Sequence, residues 1–279
     1  MNIVQKSEPN FYEGHDNGIS TVIDVNSPRE KVVVLWDFDS IIHLTLYAGK
    51  DNFGNRNLEY TQHDLEYLKG KLTEMTLKIL NNVEEYFDIL SCYIFIKGNS
   101  NFRKELYPDY KKNRPEPNSL VNDLYKYAIE MHQAIPADNC EAEDMVYQAS
   151  KQINHGGLIL YVDHDLLEIP SKFYNYKTNI FSKLSEKEAL WEKYKKLNVG
   201  EKGDNANLTP SYGIKNFKKD FHKDMSVEEY EKQSFETFLW CWSDKIKVKK
   251  KIQRTPNIEK ATEMFNLAKE ILWLKNKEN

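Results

Sequence analysis

Eight carboxylates fall in four short clusters, each where a strand is expected to end or a helix to begin. They are Asp37 in VVVLWDFDS, Glu141, Glu143 and Asp144 in CEAED, Asp163 and Asp165 in LILYVDHDLL, and Glu201 and Asp204 in VGEKGDN. One such cluster is commonly a solvated face or a helix cap. Four of them, two directly after runs of strand-forming residues, read as oxygen ligands gathered at one edge of a sheet. Hard oxygen donors suit Mg²⁺ or Mn²⁺, and a pair of such ions cleaves phosphodiesters.

Each cluster also has a plainer reading. Asp37 could simply close its strand, with Asp39 capping or bonding locally. A hydrophobic strand followed by DxDS is also similar to the opening of haloacid-dehalogenase phosphatases, whose first Asp is a phosphorylated nucleophile. Glu141 and Asp144, three apart, share a helix face, so they could approach one ion or complement the helix dipole. His164, between Asp163 and Asp165, points the other way if strand geometry persists, and is not counted as a ligand. The Gly-containing turn at 201–204 could fold Glu201 and Asp204 together. Gly213 and Lys215 follow in SYGIK, where backbone amides ahead of a helical stretch could hold a phosphate.

The basic residues concentrate away from the acids. In FRKELYPDYKKNR (102–114), Arg103, Lys104, Lys111, Lys112 and Arg114 offer phosphate contacts. Phe102, Tyr107 and Tyr110 offer rings that could stack on unpaired bases, or pack against a helix. A second basic run, KIKVKKKIQR (245–254), fits either duplex-backbone contact or a solvated surface.

Positioning these groups requires a sheet. KVVVLWDF (31–38), DILSCYIFI (88–96) and GLILYVD (157–163) read as buried strands; 64–87, 118–133 and 141–154 carry helical spacing. Strands alternating with helices imply a mostly parallel sheet, whose functional site lies outside the carboxyl ends of the strands. Asp37, Asp163 and Asp165 are expected at those ends. The organisation reads as a polar lead-in (1–30), an α/β core (31–200) with an insertion at about 97–135, and a helical region (201–279).

Bulk composition leaves these readings open. Hydrophobic content of 40% and charged content of 29% in 279 residues suit an ordinary globular protein. No apolar run approaches the roughly 18 residues of a membrane span. The amino terminus has no signal-peptide h-region, and three scattered cysteines form neither a disulfide framework nor a zinc pattern; a reduced, cytoplasmic setting without membrane contact is expected. The net charge of −4 does not argue against a nucleic-acid partner, because distribution decides that question.

Taken in order, the motifs resemble the 5′-nuclease family: flap endonucleases, phage 5′→3′ exonucleases and the 5′-nuclease domains of bacterial DNA polymerases. That family's pattern runs as a strand ending in Asp, FRxxLYPxYKxxR, an EADD helix, a strand ending in DxD, a GDxxDN turn, and GxGxK. The counterparts are Asp37, FRKELYPDYKKNR, EAED, DHD, GEKGDN and SYGIK, spanning about 35–225. The resemblance implies a PIN-like α/β core with a helical arch and a C-terminal helix–three-turn–helix region. It implies hydrolysis near the 5′ ends of flapped, nicked or RNA-primed duplex DNA in phage or bacterial-type replication. The chain would act as a monomer, with other replication proteins as further partners.

The resemblance also assigns residues. One Mg²⁺ or Mn²⁺ would be held by Asp37, Glu141, Glu143 and Asp144, the other by Asp163, Asp165, Glu201 and Asp204. Lys111 and Arg114 would grip the scissile phosphate, with Arg103 and Tyr110 beside them. Gly213 and Lys215 would bind duplex backbone, with K⁺ as a further candidate ion. Three departures stand out. Ile96 lies near the place where the family has a second-strand Asp. Glu143 and Glu201 replace aspartates, extending each carboxylate by about an ångström. A structure-specific DNA-binding protein with weakened hydrolysis is the alternative these departures raise.

Overall fold

The computed structural model describes residues 12–13, 29–47, 60–248 and 251–275, which form two compact units. The first comprises residues up to 100 together with 116–184; the second comprises 101–115 and 185 onward.

The first unit is built on a seven-stranded sheet. Its strands are β1 (Tyr12–Glu13), β2 (Glu30–Asp37), β3 (Phe87–Ile96), β4 (Ile135–Pro136), β5 (Leu158–Tyr161), β6 (Lys172–Asn175) and β7 (Ile180–Lys183). The order is β1-β7-β6-β5-β2-β3-β4, with β6, β5, β2, β3 and β4 mutually parallel and β7 antiparallel to β6. The expected mostly parallel sheet is therefore present, with β2, β3 and β5 at its centre. The short pair β6–β7 was not expected: each strand has four residues, too few for period-2 alternation to stand out.

Helices cover both faces of this sheet. On one face α1 (Asp39–Tyr47), α2 (Leu65–Glu84) and α4 (Leu120–His132) pack with Val32, Val34 and Trp36 of β2. On the other, α5 (Ala142–Gln152) faces Val33 and Leu35 across an apolar pocket of about 270 Å³. Burial on both faces explains the unbroken apolar runs of the central strands. From β2 the chain forms β3 on one side of it and then β5 on the other. The order thus reverses at β2, and loops leaving β2 and β5 diverge around the crevice where such sheets bind ligands.

The second unit is mainly helical: α3 (Phe102–Leu106), α6 (Glu186–Val199), α7 (Ile214–Asp220), α8 (Val227–Cys241) and α9 (Ile258–Leu272). Its core is rich in aromatic side chains, with Tyr194, Tyr230, Phe217, Phe221 and Phe238 almost wholly buried. Tyr194 and Tyr230 stack at 4.7 Å, and Phe217 and Phe221 at 4.5 Å. Ser185 and Ser226 cap α6 and α8, each accepting the N–H of a Glu three residues on. A hairpin of β8 (Asp244–Val248) and β9 (Lys251–Thr255) occupies the second basic run, where no strand was expected. Among the described residues, no helix is long and apolar enough to cross a membrane.

Two glycines show how differently one residue type can serve. A Cβ at Gly98 would stand 1.6 Å from the Ala137 carbonyl oxygen, so the chain after β3 approaches the chain after β4 only because no side chain intervenes. Gly70, exposed within α2, has no atom within 4 Å of a notional Cβ. Gly70→Ala should raise stability by about 0.5–1 kcal/mol through helix propensity. Gly98→Ala should lower it, since backbone must move. Paired thermal melts check both signs.

Candidate metal centre and basic segment

The acids of the first unit lie where its parallel strands end. Asp37 is the last residue of β2 and is only 2% exposed. Its Oδ1 accepts the N–H of Asp39 at 3.2 Å, which turns the chain into α1. Asp163 follows β5 and caps a 3-10 turn (His164–Glu168), accepting the N–H of Asp165 at 3.3 Å. Strand geometry thus stops before Asp163, and His164 is an exposed turn residue instead of a strand residue facing away. Glu143 and Asp144 lie in the first turn of α5, with Glu141 at its N-cap.

Glu143, Asp163 and Asp165 each bring one carboxylate oxygen within 4.8 Å of the other two. The resemblance had grouped Glu143 with Asp37, Glu141 and Asp144; the fold brings it to the acids after β5. Asp144 takes the helix-cap role, wholly buried and accepting the Glu141 N–H at 3.0 Å.

Asp39 joins this neighbourhood from the other side. Its Oδ1 accepts the Lys97 N–H at 2.9 Å, tying the start of α1 to the end of β3. Burial pushes its carboxyl up to about 6, against the opposing effect of that N–H and the Lys97 ammonium. Tyr125 of α4 is pushed upward too, first by burial and then by the charges of Asp39, Asp37 and Glu143. One phenol therefore senses three carboxylates from three elements, which marks a concentration of negative charge at this edge.

Such an arrangement fits hard divalent cations. Three partly exposed carboxylate oxygens within a few ångströms repel one another unless a cation lies among them, and they leave room for water or substrate.

In the second unit the basic segment divides by burial. Only Phe102–Leu106 is helical; residues 107–114 form turns. Lys104 and Lys112 are exposed, Lys112 pairing with Asp109 at 2.9 Å, while Phe102 and Tyr107 are half-buried. Arg103 departs from its expected place at a phosphate. It is 2% exposed, with Nε donating to the Ile271 carbonyl at 2.9 Å and Nη2 to that of Trp273 at 3.1 Å. It therefore closes the C-terminus of α9, where carbonyls have no intrahelical donor. Tyr110 likewise leaves the surface: 4% exposed, it packs in the second unit's core and cannot stack on a base.

Asp204 is also buried, and the basic segment meets it. Tyr110 donates its hydroxyl to Oδ2 at 3.0 Å, Lys111 Nζ lies 3.5 Å from Oδ2, and Arg114 Nη2 pairs with Oδ1. Glu201 is half-buried and exchanges two backbone hydrogen bonds with Ala206, closing the turn that carries Asp204. Asn205, not singled out from sequence, donates to the Asp109 carbonyl at 3.0 Å. Gly213 precedes α7 and Lys215 is exposed on its first turn.

No protein-family model matches the sequence. Among solved structures, the chain is similar to the 5′-exonuclease of bacteriophage T5 with zinc bound: TM-score 0.57, 15% identity, covering 87% of this chain and 88% of that one. It is also similar to the flap endonuclease of bacteriophage T5 in a pseudo-enzyme–product complex with DNA and metal ions. There the TM-score is 0.54 and the identity 13%, with the same coverage. The chain has the 5′-nuclease fold: a PIN-like, mostly parallel sheet flanked by helices. Its particular likeness within that fold is to the bacteriophage T5 nucleases.

Arg103 gives a direct test of burial against surface function. Arg103→Ala orphans two carbonyls and should cost about 2 kcal/mol or more. Arg103→Lys should not restore it, because one ammonium cannot reproduce the planar fork. Urea unfolding followed by tryptophan fluorescence reads this; unchanged stability with weakened DNA binding would restore the phosphate role.

Proposed function

We propose that this protein is a metal-dependent 5′ nuclease that hydrolyses phosphodiesters near the 5′ ends of flapped, nicked or RNA-primed duplex DNA. The observation that carries the reading is the convergence of Glu143, Asp163 and Asp165 at the carboxyl edge of a 5′-nuclease sheet. The T5 structures with metal ions and DNA support it as neighbours in fold.

In this reading Glu143, Asp163 and Asp165 form the centre of the ion-holding set, with Asp37 and Glu141 as further acids of the same unit. The resemblance adds Glu201 and Asp204. Mg²⁺ or Mn²⁺ held there would activate water and neutralise charge developing on the phosphodiester. The chain supplies the rest. Asp37, locked by the Asp39 N–H, and Glu143, on the first turn of α5, hold fixed directions on rigid elements. Lys111 and Arg114 bind phosphate oxygens of the substrate. Exposed Lys104, Lys112 and Lys215 add backbone contacts, which makes affinity fall with salt. The near-complete burial of Asp37 weighs against the phosphatase alternative, in which that carboxylate must attack a substrate phosphorus.

The test is cleavage of a 5′-labelled flap duplex in Mg²⁺ and in Mn²⁺. Wild type should release 5′ products, while Asp163→Asn and Glu143→Gln should each lose more than about 100-fold, beyond what outer-shell changes cost. Asp39→Asn should be mild. Tight flap binding without turnover in either metal would identify a structure-specific binding protein instead.

A further inference from the structure

Two turns of the second unit are stitched around one carboxylate. In the turn at 201–206, Asp204 is 5% exposed, and its two oxygens receive Arg114 on one side and Tyr110 with Lys111 on the other. The backbone repeats the connection: the Lys111 N–H donates to the Asp204 carbonyl at 2.7 Å. Asn205 Nδ2 donates to the Asp109 carbonyl at 3.0 Å, and Asn113 Nδ2 to Asn205 Oδ1 at 3.2 Å.

The local backbone is shaped to keep this contact. Lys111 (φ 57°) and Asn205 (φ 56°) both adopt the left-handed region, unfavourable for a lysine unless its surroundings hold it there. Gly200 opens the turn at φ +73°, and a Cβ on it would stand 2.7 Å from the Asn207 Cα. The turn that carries Asp204 is thus closed by a residue that only glycine can be.

The charges explain the purpose. One carboxylate meets two cations, so the assembly keeps one net positive charge. Lys111 is mostly covered, with its side chain 16% exposed, whereas Arg114 stays 53% exposed while touching Asp204 through Nη2. A divalent ion taking this carboxylate would have to displace both cations, leaving them uncompensated beside a buried site.

We propose that Asp204 is a positioning residue: it holds Lys111 and Arg114 as one preorganised grip for a phosphate of a nucleic-acid backbone, and does not itself ligate an ion. The assignment rests on the nuclease reading and differs from the ligand role the resemblance gives Asp204. Tyr110 is the neutral third arm, fixing the carboxylate's rotation without adding charge.

The experiment compares wild type with Asp204→Asn, Tyr110→Phe and the double variant Lys111→Gln/Arg114→Gln. Affinity for a 5′-phosphorylated flap duplex is measured in EDTA, and Mn²⁺ affinity separately by electron paramagnetic resonance, with Asp163→Asn as reference. Removing one negative charge should by itself tighten DNA binding. Positioning predicts the opposite sign: Asp204→Asn weakens it about tenfold, towards the double variant. Tyr110→Phe, which keeps the ring and every charge, should give a smaller loss in the same direction. Mn²⁺ affinity should be that of wild type in Asp204→Asn and reduced in Asp163→Asn. Unchanged or tighter DNA binding by Asp204→Asn overturns the proposal, as does a Mn²⁺ loss matching Asp163→Asn. Should Asp204→Asn fail to fold, Tyr110→Phe decides by the same measurements. A wild type that cleaves no flap in either metal sinks the nuclease reading itself; a cleaving wild type with unaffected variants sinks only the positioning role.

Discussion

A carboxylate taken out of water must be met by hydrogen bonds or by positive charge, and both units of this protein are organised around that requirement. In the first unit, Asp37 and Asp144 are almost fully buried, and backbone N–H groups from Asp39 and Glu141 meet them. Glu143, Asp163 and Asp165 remain partly exposed and crowd one another. In the second unit, Asp204 is met by the chain's own cations. The two solutions differ in what they leave over. Mutual repulsion among the first unit's acids favours a bound divalent ion, whereas the second unit's cluster retains positive charge.

Sheet topology accounts for the first arrangement. Because strand order reverses at β2, the loops after β2 and β5 open a crevice at the carboxyl edge, and α5 presents its first turn there. Each acid occupies a strand end, a cap or a first helical turn, where a short side chain can reach both the backbone and the crevice. The same local bonds that cap these elements also aim the carboxylates. Structural and functional readings of these acids are therefore complementary for Asp37 and Asp163, while Asp144 is absorbed by its cap.

The basic segment shows how one motif can serve unlike ends. Arg103, Tyr110, Lys111 and Arg114 lie within twelve residues, yet their surroundings differ sharply. Arg103 secures α9, and Tyr110 fills the aromatic core while steering Asp204. Lys111 and Arg114 carry the charge outward. Anchoring by the first two gives the second two a fixed base, which a mobile basic loop would lack.

The sequence by itself determined the element types that place the acids: three buried strands from unbroken apolar runs, helices from 3.6-residue spacing, and the mostly parallel order from their alternation. The motif order carried the resemblance to the 5′-nuclease fold. Weak periodicity hid β6 and β7, and the lysines of the second basic run obscured the Lys-Ile-Lys-Val alternation that forms β8. Which charge meets which was settled only by the tertiary structure. Tyr110 and Asp204 are 94 residues apart, and Arg103 and Ile271 are 168 apart. Local pattern records whether a residue sits on a strand or a helix; its burial and its partner depend on segments that only folding brings together.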